Sequence, residues 1–100
     1  MTATFDRIFR EDARLTVLKA LASEPNDALN DAMLQVVLET FGIHRSREWL
    51  RDELRVLNEL GAITVAEAGT VKIAKLTRKG RDHVERRIVI EGVKRPSPAE

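Results

Sequence analysis

Cysteine is absent from this sequence of 100 residues, and no long uncharged apolar run occurs in it. Without cysteine the chain has no disulfide framework and no thiolate zinc or iron–sulfur site. Without a long apolar run we expect neither a membrane-spanning helix nor a signal peptide, so the expected compartment is the cytoplasm. What is present is a globular balance of 43% hydrophobic and 33% charged residues, at a length that suits one domain.

Charge is nearly balanced over the whole chain but unevenly distributed along it. The formal net charge is +1, yet residues 1–42 carry a net charge of −3. Residues 71–100 carry nine basic and four acidic side chains, a net charge of +5. Such polarisation permits local attraction to a polyanion, although an overall balance near zero makes non-specific binding weak. Nucleic acid is therefore a permitted partner and not a required one.

Apolar spacing and helix caps predict three helices in the first sixty residues. Residues 5–23 contain no helix breaker and repeat apolar side chains at three- and four-residue spacing. The second helix is expected between an Asn30 cap and Gly42, and the third between a Ser46 cap and Gly61. The second and third predicted helices form a helix-turn-helix of about residues 30–60.

The rest of the chain predicts a hairpin and a short helix. Alternating apolar residues on both sides of a glycine-containing turn indicate a two-stranded hairpin at about residues 62–76. Thr77 is a suitable cap for a short helix from residue 78 to about 87. We therefore predict one α+β, mostly helical domain over residues 1–90, followed by a flexible C-terminal tail over residues 91–100.

The third predicted helix is the most informative about function. Trp49 shares one broad apolar arc with the leucines of this helix, and we expect that arc to face the core. Arg47, Arg51 and Arg55 recur one turn apart on the other side, with Asn58 among them. Guanidinium groups on such a stripe suit a DNA major groove, since they pair with guanine or grip phosphate. Alternatively, they pair with carboxylates three or four positions away on a solvated face.

The order of helix, helix-turn-helix, two-stranded wing and closing helix resembles a winged helix domain. Residues 54–63 and 76–80 resemble the pattern by which winged helix transcription regulators close the recognition helix and leave the wing. More closely, residues 11–15, 29–30 and 92–98 resemble a family of small winged helix proteins of Mu-like phages and prophages. This resemblance implies a bacterial or phage protein with a DNA-binding fold and no established reaction.

Together these features predict a winged helix DNA-binding protein that regulates phage or prophage transcription. Helix 46–60 would enter the major groove of double-stranded DNA. Glu67 at the tip of the wing would repel the DNA backbone, so phosphate contacts are expected from the base of the wing. The predicted DNA contacts are Arg45, Ser46, Arg47, Arg51, Arg55, Asn58, Lys72, Lys75 and Arg78.

A rival hypothesis keeps the winged helix and omits the DNA. In it the domain is a protein–protein interaction module in phage assembly or DNA packaging, which the near-zero net charge and acidic wing tip favour. Glu53 is predicted to lie within the apolar arc of the third helix, where a carboxylate needs a partner. We expect an arginine from a neighbouring helix to supply it.

Other residues indicate no reaction and leave the oligomeric state open. No nucleophile with a base, phosphate-binding glycine loop or paired catalytic carboxylates are found, so we expect no enzymatic activity and no cofactor. His44 and His83 lack a second ligand at metal spacing, so no metal site is expected. Apolar residues near both termini cover each other within one chain or form a homodimer. The candidate dimer contacts are Phe5, Ile8, Phe9, Ile88 and Ile90.

Overall fold

Four helices and one small sheet make up the fold, which this computed structural model describes for residues 2–98, with side chains from residue 4. About half of the chain is helical, and the sheet is antiparallel, so the predicted α+β, mostly helical class is confirmed. The elements in chain order are α1 (Thr2–Ala22), β1 (Ala28–Asn30), α2 (Asp31–Thr40), α3 (Arg47–Glu59), β2 (Ile63–Ala68), β3 (Val71–Leu76) and α4 (Arg78–Val84).

The boundaries of α2 and α3 follow from the caps that the sequence predicts. The Asn30 side chain accepts a hydrogen bond from the Met33 N–H at 2.8 Å, and the Ser46 hydroxyl accepts one from the Trp49 N–H at 3.1 Å. Each bond satisfies a backbone donor that the first turn leaves unpaired. Gly61 follows α3 with a φ of +80°, a left-handed conformation that glycine adopts without steric cost. The predicted caps of both helices are confirmed.

The sheet has a third strand that the sequence does not predict. β1 pairs antiparallel with β3, which also pairs with β2, so the strand order is β1-β3-β2. In this register Leu29 lies opposite Ala74. The predicted two-stranded hairpin is therefore corrected to a three-stranded sheet. A strand of three residues is too short to show alternation, and its pairing depends on a segment far along the chain.

The core lies where α1, α2 and α3 meet the sheet. Its largest members are leucines at three- and four-residue spacing on the three helices, each at most 2% exposed. Full burial of one such side chain contributes about 2 kcal/mol, so this cluster is the main source of stability. The cluster of helix leucines consists of Leu18, Leu21, Leu34, Leu38, Leu50, Leu54 and Leu57.

A buried carboxylate joins α3 to α1. Glu53 is 1% exposed, accepts a hydrogen bond from Arg14 Nε at 2.7 Å and forms a second ion pair with Arg10. The expected arginine from a neighbouring helix is thus confirmed, and α1 supplies two of them. Among the described residues, no buried side-chain polar atom lacks a hydrogen-bond partner. These paired charges fix the orientation of α3 on α1.

The segment after α4 packs on the body of the protein. Ile90 and Val93 are 3% and 5% exposed, and the Lys94 N–H donates to the Glu11 carbonyl oxygen of α1 at 3.2 Å. The prediction of a flexible tail from residue 91 is therefore wrong for residues 92–94. The charged and proline-rich composition suggested a solvated tail, but the apolar side chains bury surface against α1. Residues 99–100 lie outside the described residues.

His83 holds this segment in place with both nitrogens of its ring. The side chain is fully buried, and its Nδ1 accepts a hydrogen bond from the Ile90 N–H at 3.0 Å. Because Nδ1 accepts, the neutral ring carries its proton on Nε2, which donates to the Lys94 carbonyl oxygen at 2.9 Å. The ring therefore connects α4 to residues 90–94.

Replacing His83 by phenylalanine is expected to loosen residues 90–94. Phenylalanine keeps an aromatic ring but leaves the buried Ile90 N–H without an acceptor, which costs about 2 kcal/mol. Urea denaturation should show this loss, and hydrogen exchange of the Lys94 amide should accelerate about tenfold or more. The exposed His44→Phe is the control. Wild-type protection of the Lys94 amide in His83→Phe would contradict the role given to the ring.

Candidate nucleic-acid interface

The outer face of α3 is the surface on which DNA contacts are predicted. α3 turns Leu50, Leu54 and Leu57 into the core, as expected from the apolar arc. Three carboxylates and one guanidinium lie on the opposite side, and the guanidinium of Arg55 is engaged by Glu59 at 3.2 Å. The exposed side chains of this face are therefore net negative, and with the half-buried Arg47 and Arg51 its charges balance, so it does not form a basic ridge. The exposed side chains of α3 are Glu48, Asp52, Arg55, Asn58 and Glu59.

Arg51, at the centre of the predicted arginine stripe, takes part in an internal ion pair. Its Nε donates to Asp31 Oδ2 at 2.6 Å, and its Nη2 donates to the Thr70 carbonyl oxygen at 2.7 Å. Asp31 is fully buried and also accepts from the Lys72 backbone N–H at 3.3 Å. We call this set of contacts the Asp31–Arg51 bridge. It joins α2, α3 and the β2–β3 turn, so Arg51 has a structural role that its place in the helical pattern does not reveal.

The bridge keeps the Asp31 carboxylate charged. Burial raises the pKa of Asp31, but hydrogen bonds from Arg51 and from the Lys72 N–H lower it, and the charges of Arg51 and Arg47 add to this. The balance holds the pKa of Asp31 below its ordinary value. Both partners of the bridge are therefore charged at neutral pH, where the bridge is complete.

The predicted contacts at the amino end of α3 are only partly available. Arg45 is exposed, but its guanidinium stacks on the rings of Phe9 and Trp49, at 4.3 and 5.8 Å from their centroids. The Ser46 hydroxyl is used in capping the helix. Arg47 is half-buried. This end of α3 is the most basic part of the candidate interface.

Of the predicted contacts from the β2–β3 hairpin and beyond, only Lys72 shares a cleft with α3, where it lines a space of about 310 Å³ with Arg51, Arg55 and Asn58. Lys72 forms an ion pair with Glu67 across the hairpin at 2.9 Å, and this contact holds the pKa of Glu67 below its ordinary value. Lys75 is exposed between two buried neighbours of β3, so it faces away from the core and from α3. Arg78 is 86% exposed and approaches Asp82 at 3.4 Å. Four of the nine predicted contact residues therefore lie around one cleft, whereas Lys75 and Arg78 are not among the residues that line it.

The five predicted dimer contacts differ in how exposed they are. Phe5 and Ile8 are 64% and 56% exposed on the first turns of α1, and Ile88 is 38% exposed. Phe9 is half-buried between Phe5 and the tryptophan of α3, with ring centroids 6.0 and 5.7 Å apart. Ile90 belongs to the core, so its prediction as a dimer contact is wrong. Its side chain is already covered by its own chain.

A second apolar face of α2 is exposed, and periodicity did not predict it. Met33 and Val36 are 49% and 52% exposed, and Phe41, just after the helix, is 68% exposed. α2 is described throughout, and Glu39 is the one charged side chain on its exposed face. The signal was in the sequence, since apolar residues surround α2 on nearly every side, whereas a surface helix needs one stripe.

A groove with a volume of about 520 Å³ borders this face. We call it the α1–α2 groove. α1 forms one wall, α2 and the turn after it form another, and the C-terminal segment forms the third. The floor is mainly apolar, and charged side chains stand at its rim. Its main lining residues are Asp12, Leu15, Lys19, Glu24, Val37, Phe41, Ile43, Lys94 and Arg95.

One known protein is similar to this chain over most of its length. No protein-family model and no solved structure matches the chain. The uncharacterised protein gp26 of Escherichia phage Mu is 36% identical over 91 residues, which are 91% of this chain and 94% of gp26. The chain belongs to the gp26 family. The predicted likeness to small proteins of Mu-like phages is thereby confirmed.

The described part of this gp26-family chain contains no recognisable membrane or metal element. None of its helices combines the length and the apolar character that crossing a bilayer requires. Residues 2–98 also contain no cluster of three histidine, aspartate or glutamate side chains placed to hold a metal ion.

Proposed function

We propose that this gp26-family chain is a winged helix domain that docks another protein of a Mu-like phage. The order α1-β1-α2-α3-β2-β3 supports the winged helix, because a helix-turn-helix is followed by a hairpin that serves as the wing. β1 supports it further by tying the start of α2 to the base of that wing. The docking role corresponds to the rival hypothesis from the sequence.

The exposed face of α2 is the observation that carries the proposal. In a helix-turn-helix bound to DNA, the first helix of the motif crosses the phosphate backbone. α2 presents Met33 and Val36 to solvent and contains no lysine or arginine, so it offers phosphates no counter-charge. Contiguous exposed apolar side chains instead favour contact with another protein.

The recognition helix supports the same proposal. Its exposed side chains are net negative, and the Asp31–Arg51 bridge uses the guanidinium at the centre of the predicted DNA contact. Breaking such a bridge to free Arg51 for phosphate would leave the buried carboxylate without its partner. DNA contact through the middle of α3 would therefore carry a cost that a docking surface does not.

DNA-binding regulation is the second candidate, favoured by the cations at the amino end of α3. Arg45 and Arg47 flank the Ser46 cap, and recognition helices contact bases with residues at this end. Lys75 and Arg78 would then hold phosphates, and a homodimer would present two such helices. This candidate needs the protein to bind duplex DNA with a steep dependence on salt.

A DNA titration and a heparin column separate the two candidates. The protein is expected to pass through heparin at low salt and to bind a labelled random duplex no more tightly than about 10⁻⁴ M, measured by fluorescence anisotropy. A dissociation constant below about 10⁻⁶ M that Arg47→Ala weakens would overturn the docking proposal. Arg95→Ala, at an exposed arginine distant from α3 in sequence, is the matched control.

Co-expression with the other proteins of the same phage, one at a time, tests the docking itself. We expect one of them to co-purify and Val36→Glu to abolish this, because a charge would be buried in an apolar contact. Ile8→Glu is the control, since Ile8 and Val36 are 56% and 52% exposed. Urea denaturation establishes that both variants fold. A complex that survives Val36→Glu unchanged would contradict docking through α2.

A further inference from the structure

The α1–α2 groove has the dimensions of a binding site for one additional α-helix. Its lining residues run from Asp12 on α1 to Glu24 in the turn that continues the helix, about 18 Å when the rise of 1.5 Å per residue is extended through that turn. Val37 and Phe41, one turn apart, flank it on the α2 side. A third helix binds between two flanking helices when its side-chain ridges pack into the space between them. The length corresponds to a helix of about twelve residues.

The floor and lip of the groove are apolar. Leu15 and Ile43 are buried at its base, and Phe41, 68% exposed, forms its lip. Met33, Val37 and Phe41 follow one another at four-residue spacing, so the groove continues onto the exposed face of α2. An apolar channel of this kind accepts the i, i+3, i+4 and i+7 side chains of an amphipathic helix.

Charge distinguishes the two long edges of the groove. The α2 side lines it with uncharged residues only, whereas the described tail residues that line it add Lys94 and Arg95. α1 adds Asp12 and Lys19, and the turn after it adds Glu24. Asp12 is offset by Lys94, whose Nζ lies 3.4 Å from its Oδ1, so the tail edge stays positive through Arg95. An occupant with carboxylates along the edge that faces the tail complements this distribution.

The exposed area argues against a second copy of the chain. Met33, Val36 and Phe41 together present about 300 Å² of exposed side chain, taking about 150–200 Å² for each when fully exposed. A stable dimer buries about 800 Å² on each partner. A single helix that enters the groove also contacts the groove walls, which increases the buried area. A second globular copy would lie across the top of the groove and leave those walls uncovered.

We propose that the α1–α2 groove binds an amphipathic helix of the docking partner, about twelve residues long, with leucine-like side chains against Val37 and Phe41 and carboxylates beside Arg95. The inference rests on the proposed function, because it names the element by which the partner docks. It also gives the packed C-terminal segment a role, since that segment supplies the positive edge of the site.

Two stapled fourteen-residue helical peptides test the inference. Both carry leucines at i, i+3, i+4 and i+7; one has glutamates along one edge and the other has lysines there. Calorimetry is expected to show the glutamate peptide binding about tenfold more tightly or better. Phe41→Ala should weaken it about tenfold, while Phe5→Ala, at an equally exposed phenylalanine of α1, should have no effect. Arg95→Glu should reverse the preference between the peptides, and Arg7→Glu should preserve it.

The outcomes separate this inference from the docking proposal. If neither peptide binds, or if both bind equally and Phe41→Ala changes nothing, the groove is not the seat of a helix. Co-purification that Val36→Glu abolishes would then still support docking through α2. A concentration-dependent dimer that Phe41→Ala dissociates would identify a second copy as the occupant and overturn the inference.

Discussion

Replacing Arg51 by methionine is expected to destabilise the protein by about 3 kcal/mol. Methionine preserves most of the side-chain volume but leaves the fully buried Asp31 carboxylate without its ionic partner, a loss that costs about 3–5 kcal/mol in buried pairs. The lower end applies because Arg51 itself is 31% exposed. The Thr70 carbonyl oxygen loses its donor as well, so the β2–β3 turn should lose hydrogen-exchange protection.

Urea denaturation of matched variants checks this expectation. Arg55→Met removes an exposed pair of the same helix and should cost at most about 1 kcal/mol. Adding Asp31→Leu to Arg51→Met should recover part of the loss, because no buried charge then remains. Equal stability of Arg51→Met and Arg55→Met would show that the bridge contributes nothing.

Acid should weaken the same bridge. The pKa of Asp31 is lowered in the folded state, so its carboxylate contributes stability above the unfolded value of about 3.9. This contribution is lost as the pH falls through the lower pKa of the folded protein. In Arg51→Met burial remains while the hydrogen bond and charge of Arg51 that lower the pKa of Asp31 are gone, so the variant's carboxyl takes up its proton at a higher pH than that of wild type. The difference in stability between wild type and Arg51→Met should therefore shrink as the pH falls. A difference that stays constant down to pH 2 would contradict the bridge as its source.

Gly80→Ala is expected to cost about 3 kcal/mol, although alanine ordinarily stabilises a helix interior by about 1 kcal/mol. A Cβ at Gly80 would lie 2.2 Å from the Ala62 carbonyl oxygen and 2.8 Å from Leu76 Cδ1. The carbonyl cannot move aside freely, because it accepts the Thr77 N–H at 3.1 Å. The substitution should therefore push α4 away from the start of β2.

Thermal denaturation should show the melting temperature of Gly80→Ala reduced by about 15 °C. Gly69→Ala is the comparison, since a Cβ there meets nothing within 4 Å and the strain of its φ of +60° costs about 1 kcal/mol. If Gly80→Ala melted no lower than Gly69→Ala, the close approach of α4 and the Ala62 carbonyl would not limit stability.

The features that the sequence predicts correctly are those fixed by neighbouring residues. Asn30 and Ser46 accept hydrogen bonds from amides three residues later, so the starts of α2 and α3 follow from local chemistry. The hairpin follows in the same way from two alternating segments around a short turn. Glu53 also belongs here, because its place within the apolar arc of one helix already requires a cationic partner.

The features that the sequence does not predict depend on contacts between distant segments. β1 exists through its pairing with β3, more than forty residues later. Arg51 has the same position in the helical pattern as a solvent-facing arginine, and the position of Asp31 beside it appears only when α2 packs against α3. For the candidate site, therefore, periodicity locates the arginines of α3 but does not reveal that Arg51 is paired with a buried carboxylate.

The Asp31–Arg51 bridge also affects how the surface around the β2–β3 hairpin behaves on meeting a partner. A hairpin attached to its domain by two strands alone would sample many orientations and lose that freedom on association. Here α3, α2 and the β2–β3 turn are held together as one unit by hydrogen bonds before any encounter. Binding to this unit carries little entropic penalty from ordering the hairpin, and a partner must match its shape as it stands.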